Sequence, residues 1–186
     1  SGTLVNGGTW VSGLYGNAIS LDGSNDYVDF GNSLPNLLGW KQLSITGWFR
    51  SASISGERTI ISKFWEGDQG YGNSVYKIWT SGSELRFKLS TNGSWDGLYV
   101  RATGITTGQW NHFAAIWDGA YYKIYLNGML AEQKSRGGVL TNPGRKTTIG
   151  SVSDGTSSYF GGLVDDIRIY SYALNQTQIM ESMHVR

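Results

Sequence analysis

The amino-acid sequence predicts an all-β protein, with two antiparallel sheets packed face to face and one short helix at the C-terminal end. Three observations indicate this fold class. First, 27 of the 186 residues are glycine and 13% are aromatic, a composition typical of short strands joined by tight turns. Second, about ten to thirteen strand-like segments recur along the chain at a spacing of roughly 8–12 residues. Third, Asp118-Gly119 and Asn127-Gly128 are strong hairpin signals.

The predicted strands follow one another with little else between them. They lie in 16–32 (two strands around the turn DGSND), 41–52, 58–65, 75–95 (a hairpin turning at SGS), 108–133 (three strands around the two hairpin turns), 146–150 and 161–172. The opening residues, SGTLVNGG, are assigned to no strand and are interpreted as a domain boundary. Residues 1–186 are therefore expected to form a single domain, excised from a larger protein.

The C-terminal end has a different pattern from the rest of the chain. In ALNQTQIMESM, Asn175 stands three residues before Gln178, which is the spacing of a capping box at the start of a helix. Ile179 and Met183 are four residues apart and would share one face of that helix. We expect the helix to dock onto the sheets through these two side chains.

Charge and composition exclude several classes of function. The formal net charge is +1, so no strong field would attract nucleic acid. No run of about 18 apolar residues is present, which argues against membrane insertion. The absence of cysteine excludes a disulfide scaffold and a thiolate metal site.

One strand-like segment, FGGLVDDIRIYSYALN at 160–175, carries two adjacent carboxylates within an apolar run. Side chains of a strand alternate between faces, which puts Asp165 on the face of Ile167 and Ile169. Asp166 shares the opposite face with Arg168. A buried carboxylate without a partner is costly, so Asp165 needs an interaction that compensates for its charge.

Several segments together resemble a known family. AISLDGSNDYVDFG, LSITGWFR, GQWNHFAAIWDGAYYKIYLNGMLA and FGGLVDDIRIYSYALNQTQI occur in the order seen in concanavalin A-like, laminin-G-like (LamG-like) jelly-roll domains of the bacterial branch. The closing Asp-Asp-hydrophobe-Arg motif and Trp110-Asn111-His112 are the most specific parts. The resemblance implies a concanavalin A-like jelly roll of two curved sheets, and an extracellular place beside other domains of secreted or cell-surface proteins.

The resemblance also implies a cation. Members of this fold commonly hold calcium near a sheet edge, and calcium takes six to eight oxygen ligands. The expected ligands are the carboxylates of Asp22, Asp26 and Asp165 with the carbonyl of Gly23. This structural calcium would compensate Asp165 and connect the first turn to the last strand. In the alternative, Asp165 accepts backbone N–H bonds and DGSND is only a turn.

The sequence argues against an enzyme. Glucanases of the superfamily carry a Glu-x-Asp-x-x-Glu run, which no pair of the five glutamates here can form. The two histidines, His112 and His184, support neither a catalytic triad nor a zinc site. His112 lies among apolar residues and is interpreted as structural.

Two glycine-rich loops are the candidate carbohydrate-binding sites. Loops on a rigid scaffold often carry function, and these two combine aromatic rings with acids and amides. The candidate residues are Trp65, Asp68, Tyr71 and Asn73 in the first loop, and Asn92, Trp95 and Asp96 in the second. Tyr99 and Arg101, which follow the second loop, would extend the surface. In the alternative, the rings plug the ends of the sandwich.

These observations predict a non-catalytic, lectin-like carbohydrate-binding module that is monomeric and tethered to other domains. Its partner would be a polysaccharide or other glycan. Three alternatives stay open: a protein-interaction or adhesion module, a passive structural spacer, and a glycan-active enzyme. Arg136, Arg145 and Lys146 form either a small basic patch for an acidic polysaccharide or a solvated loop.

Overall fold

The architecture is a sandwich of two antiparallel sheets with seven strands each. A computed structural model describes residues 2–32, 35–64, 74–93, 97–142, 144–153 and 155–184. Within these ranges one helix, seven residues long, follows the last strand. The structure confirms the predicted two-sheet β-sandwich with a short C-terminal helix.

The strands are numbered along the chain. They are β1 (Thr3–Val5), β2 (Thr9–Ser12), β3 (Asn17–Asp22), β4 (Tyr27–Asp29), β5 (Leu43–Ser51), β6 (Glu57–Lys63), β7 (Tyr76–Ser81), β8 (Glu84–Leu89), β9 (Val100–Thr103), β10 (Trp110–Trp117), β11 (Tyr121–Leu126), β12 (Met129–Ser135), β13 (Thr148–Ile149) and β14 (Gly161–Tyr170), followed by α1 (Gln176–Ser182). Sheet A has the spatial order β1-β4-β13-β6-β7-β8-β9, and sheet B has the order β12-β11-β10-β5-β14-β3-β2.

The first twelve residues contain two strands, β1 and β2, that the sequence analysis did not predict. β1 pairs with β4 at the edge of sheet A, and β2 pairs with β3 at the edge of sheet B. Between them the chain crosses from one sheet to the other through Asn6 and Gly7, both at positive φ. Strands of three and four residues are too short to give a clear alternating pattern, so the sequence did not reveal them.

The core lies between the sheets and is built by alternating residues of the central strands. Phe49 in sheet B contacts Phe113 of the neighbouring strand and Phe160, with ring centroids 6.3 and 6.4 Å apart. Phe87 of sheet A packs edge to face against Tyr122 of sheet B. Because these side chains are completely buried, the hydrophobic effect holds the two sheets together.

The face assignment of the last strand was wrong, because a β-bulge interrupts its alternation. Two residues of β14, Asp166 and Ile167, stand opposite one residue of β5, and Asp166 has φ +49°. Such a bulge shifts the following side chains to the other face. Val164, Ile167 and Ile169 therefore contact the core, whereas Asp165 lies on the outer face of sheet B opposite Trp48.

The C-terminal helix covers part of that outer face. Asn175 and Gln178 form the predicted capping box, with hydrogen bonds of 2.9 Å in both directions. Ile179 is completely buried against Ala114, Ile116 and neighbouring residues, as predicted, while Met183 is half-buried. Among the described residues, no helix has the length and apolar character needed to cross a bilayer.

Candidate functional site

Most residues of the predicted carbohydrate site lie outside the described part of the chain. These are Trp65, Asp68, Tyr71, Asn73, Trp95 and Asp96, and their assignment stays a prediction. Asn92 is described and exposed. Its backbone N–H donates to the carbonyl of Val139, and its side-chain oxygen accepts from the Val139 N–H at 3.0 Å. Asn92 thus connects its turn to the loop that follows β12.

The described ends of the two predicted loops lie at one pocket on the outer face of sheet A. Phe64 is the last described residue before the first loop, and Gly97 is the first after the second loop. Both line a pocket of about 220 Å³, here called the β7–β8 pocket. Its lining comprises Glu57, Phe64, Lys77, Trp79, Arg86, Lys88, Gly97 and Tyr99. The fold therefore brings Phe64 and Gly97, which are 33 residues apart in sequence, to the lining of one pocket.

Aromatic rings and cations are interleaved in the β7–β8 pocket. Trp79 and Tyr99 meet edge to face with ring centroids 5.7 Å apart. The Lys77 ammonium lies 5.1 Å from the ring centroids of both Phe64 and Trp79. The Arg86 guanidinium lies 4.8 Å from the ring of Tyr99. Cation–π contacts of this kind are attractive, so these cations and rings stabilise one another's positions in the pocket.

Charged groups in the pocket and beside it form a ladder of ion pairs across neighbouring strands: Glu57, Lys77 and Arg86 line the pocket, whereas Glu84 and Arg101 lie next to it. Glu57 accepts from Lys77 at 3.3 Å. Arg86 pairs with Glu84 at 2.7 Å, and Arg101 pairs with the same carboxylate at 3.0 Å. The hydrogen bond from Arg86, followed by the charges of Arg86 and Arg101, holds the pKa of Glu84 below its usual range. Glu84 is therefore ionised at neutral pH.

A second pocket adjoins the first at the edge of the sandwich. It has a volume of about 270 Å³ and is lined by Gly97, Leu98, Tyr99, Arg101, Glu132 and Lys134. Gly97 and Tyr99 are common to both pockets, so the concave surface continues from β8 over β9 to β12. Tyr99 and Arg101, which follow the second loop in sequence, both line this second pocket.

The surface offers what a polyhydroxylated ligand needs. Guanidinium and carboxylate groups form planar, directional hydrogen bonds, and aromatic rings supply apolar contact area. Sequence reasoning overlooked Lys77, Trp79 and Arg86, although their alternation with the core residues Ile78 and Phe87 was a visible signal. This alternation marks the three residues as outward-facing. It does not show which other residues lie beside them on the surface, because that depends on how the strands are ordered in the sheet.

Of the four predicted calcium ligands, Asp22, Gly23 and Asp26 share the turn after β3, whereas Asp165 lies elsewhere. Asp22 is exposed, and its Oδ1 accepts the backbone N–H groups of Ser24, Asn25 and Asp26. The Gly23 carbonyl accepts from the Arg58 guanidinium at 3.1 Å. A guanidinium on a carbonyl opposes a second cation at the same oxygen. These bonds match the alternative in which DGSND is a turn closed by its own carboxylate.

Asp165, in β14, lies beside the start of β3, whereas the DGSND turn follows the end of β3. Asp22 stands opposite Gly161 in the register of β3 and β14. The Asp165 carboxylate reaches the turn between β2 and β3, where it accepts the N–H groups of Leu14 at 2.8 Å and Tyr15 at 3.0 Å. The length of strand β3 therefore separates Asp165 from Asp22, Gly23 and Asp26. The four predicted ligands do not surround one common position for a calcium ion. Within the described residues, no group of three acidic or histidine side chains could hold a metal ion.

His112 lies under the C-terminal helix rather than in a catalytic arrangement. Its Nε2 is 3.4 Å from the Ser182 hydroxyl, and its ring meets Trp48 edge to face. The side chain is only 1% exposed. Burial, with a smaller contribution from His184, lowers the pKa of His112 to about 4.

This burial predicts loss of stability on mild acidification. The unfolded chain binds a proton at His112 near pH 6.5, whereas the folded protein does so only near pH 4. Stability is therefore complete above pH 6.5 and falls as the pH decreases towards 4. We expect the free energy of unfolding to fall by about 2 kcal/mol between pH 7 and pH 5, measured by urea denaturation. His112→Gln should flatten this dependence. If His184→Gln, a change in the tail, removed it instead, the assignment to His112 would be wrong.

Comparison with known proteins agrees with a lectin-type sandwich. The sequence pattern of the concanavalin A-like lectin/glucanases superfamily matches residues 22–180. The chain therefore belongs to this superfamily. Among curated proteins, no sequence matches the chain.

Solved structures share the fold at low sequence identity. One is domain 4 of AbnA, an extracellular GH43 arabinanase from Geobacillus stearothermophilus, in complex with arabinotriose. It is 20% identical with a TM-score of 0.73, over 98% of this chain and 88% of that one. A native heptameric SAP-like pentraxin from Limulus polyphemus is 20% identical with a TM-score of 0.67, over 88% and 79% of the two chains.

A third structure is the binding domain of botulinum neurotoxin DC in complex with SialylT. It is 15% identical, with a TM-score of 0.72 over 97% of this chain and 45% of that one. The chain thus spans about half the length of the neurotoxin binding domain. At these identities the three likenesses establish the fold.

Proposed function

We propose that the protein is a non-catalytic carbohydrate-binding module of an extracellular protein, and that it binds a glycan at the β7–β8 pocket. One observation carries this proposal. The two loops predicted to hold exposed aromatic rings begin or end at the same pocket, which is itself lined by aromatic, cationic and anionic side chains. Loop rings would contact the sugar faces, while the strand residues would bind the hydroxyl groups.

The charges in and beside the pocket support binding rather than hydrolysis. A glycosidase needs one carboxyl group with a raised pKa to protonate the leaving oxygen. Glu84 has the opposite shift, because Arg86 and Arg101 stabilise its ionised form. Glu57 lines the pocket and is paired with Lys77. Because Glu84 is held in its ionised form, it is not suited to act as the general acid.

The structural neighbours agree with a binding role at a coarse level. The arabinanase domain was solved with arabinotriose, and the neurotoxin binding domain with SialylT. The proposed glycan binding does not involve calcium, because the predicted calcium ligands Asp22, Asp26 and Asp165 do not line the β7–β8 pocket. An extracellular location is proposed from the superfamily and from neighbours such as the extracellular arabinanase.

The proposal is tested by affinity electrophoresis through gels containing single polysaccharides, with arabinan among them. We expect retardation by at least one polysaccharide. Tyr99→Ala should weaken that binding about tenfold, because it removes a ring common to both pockets and worth about 1–2 kcal/mol of contact. Tyr121→Ala is the matched control, since Tyr121 is an exposed ring on β11 in sheet B.

Two results would contradict the proposal. One is the absence of retardation in every gel. The other is unchanged binding by Tyr99→Ala, which would place the ligand elsewhere. Repeating the measurement at high salt separates an acidic glycan from a neutral one, because screening weakens contacts between exposed charges.

A protein-interaction module is the second candidate, and an exposed apolar patch favours it. Met129 is 77% exposed and Leu130 is 47% exposed at the turn into β12. Met180 and Met183 of the C-terminal segment lie against the adjacent Gly128. Methionine-rich surfaces adapt to protein partners. Failure of all glycans to bind, with capture of a partner that Met129→Glu abolishes, would favour this function instead.

A further inference from the structure

The last strand and the C-terminal helix border a pocket on the outer face of sheet B, here called the α1 pocket. It has a volume of about 210 Å³ and lies on the opposite side of the sandwich from the β7–β8 pocket. All of its lining residues belong to the described part of the chain. The lining includes Arg168 and Tyr170 of β14, Tyr172, and Gln178, Glu181 and Ser182 of α1.

The β-bulge in β14 places a guanidinium and an aromatic ring in this pocket. After the bulge, Ile167 and Ile169 contact the core. Arg168 and Tyr170 alternate with them and therefore lie on the outer face, beside α1. Tyr170 also packs against the apolar cluster around Ile179 under the helix. β-Bulges are common next to functional sites, where they redirect side chains.

Two tyrosine rings supply the aromatic part of the pocket. The rings of Tyr170 and Tyr172 meet with centroids 5.5 Å apart and an angle of 60° between their planes. Tyr172 is 47% exposed, so a ligand can reach its ring from solvent. Aromatic rings give a ligand apolar contact area and attract cations.

Two accessible polar groups of α1 have unused hydrogen-bonding capacity. The side-chain oxygen of Gln178 accepts the Asn175 N–H at 2.9 Å, whereas its amide nitrogen makes no hydrogen bond within the described residues. The Glu181 side chain is exposed, and its carboxylate has neither a hydrogen bond nor an ion pair with a described residue. Residues three apart share one face of a helix, so the pocket offers a donor and an acceptor next to each other.

The charges at the pocket do not cancel. Arg168 donates from its Nε to the carboxylate of Asp166 at 2.8 Å, so the guanidinium charge is matched. Glu181 has no such partner among the residues that the structure describes, which leaves one negative charge uncompensated. A ligand with one positive charge would pair with this carboxylate and would also be attracted by the tyrosine rings.

We infer that the α1 pocket binds a sugar residue that carries a free ammonium group, such as the glucosamine unit of a deacetylated glycan. The ammonium group pairs with Glu181. The sugar hydroxyl groups accept from the Gln178 amide and the Arg168 guanidinium, while the sugar ring contacts Tyr172. The volume is below the range of about 300–1,000 Å³ usual for larger ligands, which limits the pocket to about one sugar residue. This site is separate from the proposed glycan site and does not depend on it.

The test is a titration of the ¹⁵N-labelled protein with glucosamine and with N-acetylglucosamine at pH 7 and low salt, followed in ¹H–¹⁵N spectra. With glucosamine we expect saturable shifts of the Gln178 side-chain amide signals and of the Glu181 backbone signal. N-Acetylglucosamine should bind about threefold more weakly, because acetylation removes the charge and an exposed ion pair contributes an effect of this order.

Substitutions separate the charge of the pocket from its aromatic surface. Glu181→Gln keeps the side-chain shape and removes the charge, so this variant should bind the two sugars equally. Tyr172→Ala should weaken both sugars about fivefold, because it removes the accessible ring. Tyr121→Ala is the matched control, since Tyr121 is 45% exposed in β11 of the same sheet and lies outside the pocket. It should bind both sugars as the unmodified protein does.

Several results would overturn the inference. They are the absence of saturable shifts with glucosamine, equal binding of the two sugars by the unmodified protein, and an unchanged preference in Glu181→Gln. Binding of n-butylammonium as tight as that of glucosamine would show a site for organic cations rather than for sugars. Shifts confined to the Gly97 signal, at the β7–β8 pocket, would overturn this inference while supporting the proposed glycan site.

Discussion

Asp165→Ala is expected to lower the free energy of unfolding by about 3 kcal/mol. The carboxylate accepts two backbone N–H groups in the turn between β2 and β3, and hydrogen bonds to a charged acceptor are the stronger kind. Alanine would also leave an empty space beside Gly13, which the carboxylate contacts. Urea denaturation at pH 7 measures the loss.

Two companion variants and one change of buffer show what the carboxylate does. Asp165→Asn keeps an acceptor oxygen and should lose only about 1 kcal/mol. Asp166→Asn should lose less, because it removes a part-exposed pair with Arg168. All three losses should be the same in EDTA and in excess calcium. A melting temperature that rises reversibly with calcium in the wild type, and not in Asp165→Ala, would restore the metal hypothesis and contradict the backbone role.

Gly162→Ala is expected to be still more damaging, with a loss of about 4 kcal/mol. Gly162 has φ +138° where β14 runs between β3 and β5, and an added Cβ would lie 2.1 Å from the carbonyl oxygen of Arg50. The contact is with backbone, which cannot turn aside as a side chain can. Backbone strain and overpacking each contribute about 1–3 kcal/mol.

Gly16→Ala separates the cost of backbone strain from the cost of the steric clash with Arg50. Gly16 also has positive φ (+76°), but an added Cβ there meets nothing within 4 Å. It should therefore lose only the conformational part, about 1 kcal/mol. Thermal unfolding followed by circular dichroism compares the two variants. Equal losses at both positions would show that the close approach to Arg50 is unimportant.

The parts of the fold that depend on local signals were predictable. The hairpins at Asp118-Gly119 and Asn127-Gly128 join β10, β11 and β12 as expected, because these dipeptides favour the required turn. The capping box of α1 is similarly local. The bulge at Asp166 was not predictable from alternation, since one inserted residue leaves both halves of the strand individually regular. Because of that single residue, Asp165 lies on the opposite face from Ile167 and Ile169, which contact the core.

The candidate site was predictable only in part. Composition predicted two glycine-rich loops as the binding site, which stays a prediction, and in the described part of the chain the residues flanking them, Phe64 and Gly97, line one pocket. Trp79 and Arg86 were recognisable as outward-facing on their strands. Their meeting with Tyr99 depends on the order of strands in sheet A, which no short sequence pattern contains.

The position of β14 has a consequence for how the chain acquires its structure during synthesis. β14 lies between β3 and β5 and pairs with both, although about 110 residues or more separate it from either strand in sequence. Until residues 161–170 have left the ribosome, β3 and β5 each expose an unpaired edge. Such distant pairings form slowly, and open edges can pair with other chains. Sheet B is therefore completed only after residues 161–170 have been synthesised, and the nascent chain is most prone to aggregation before that point.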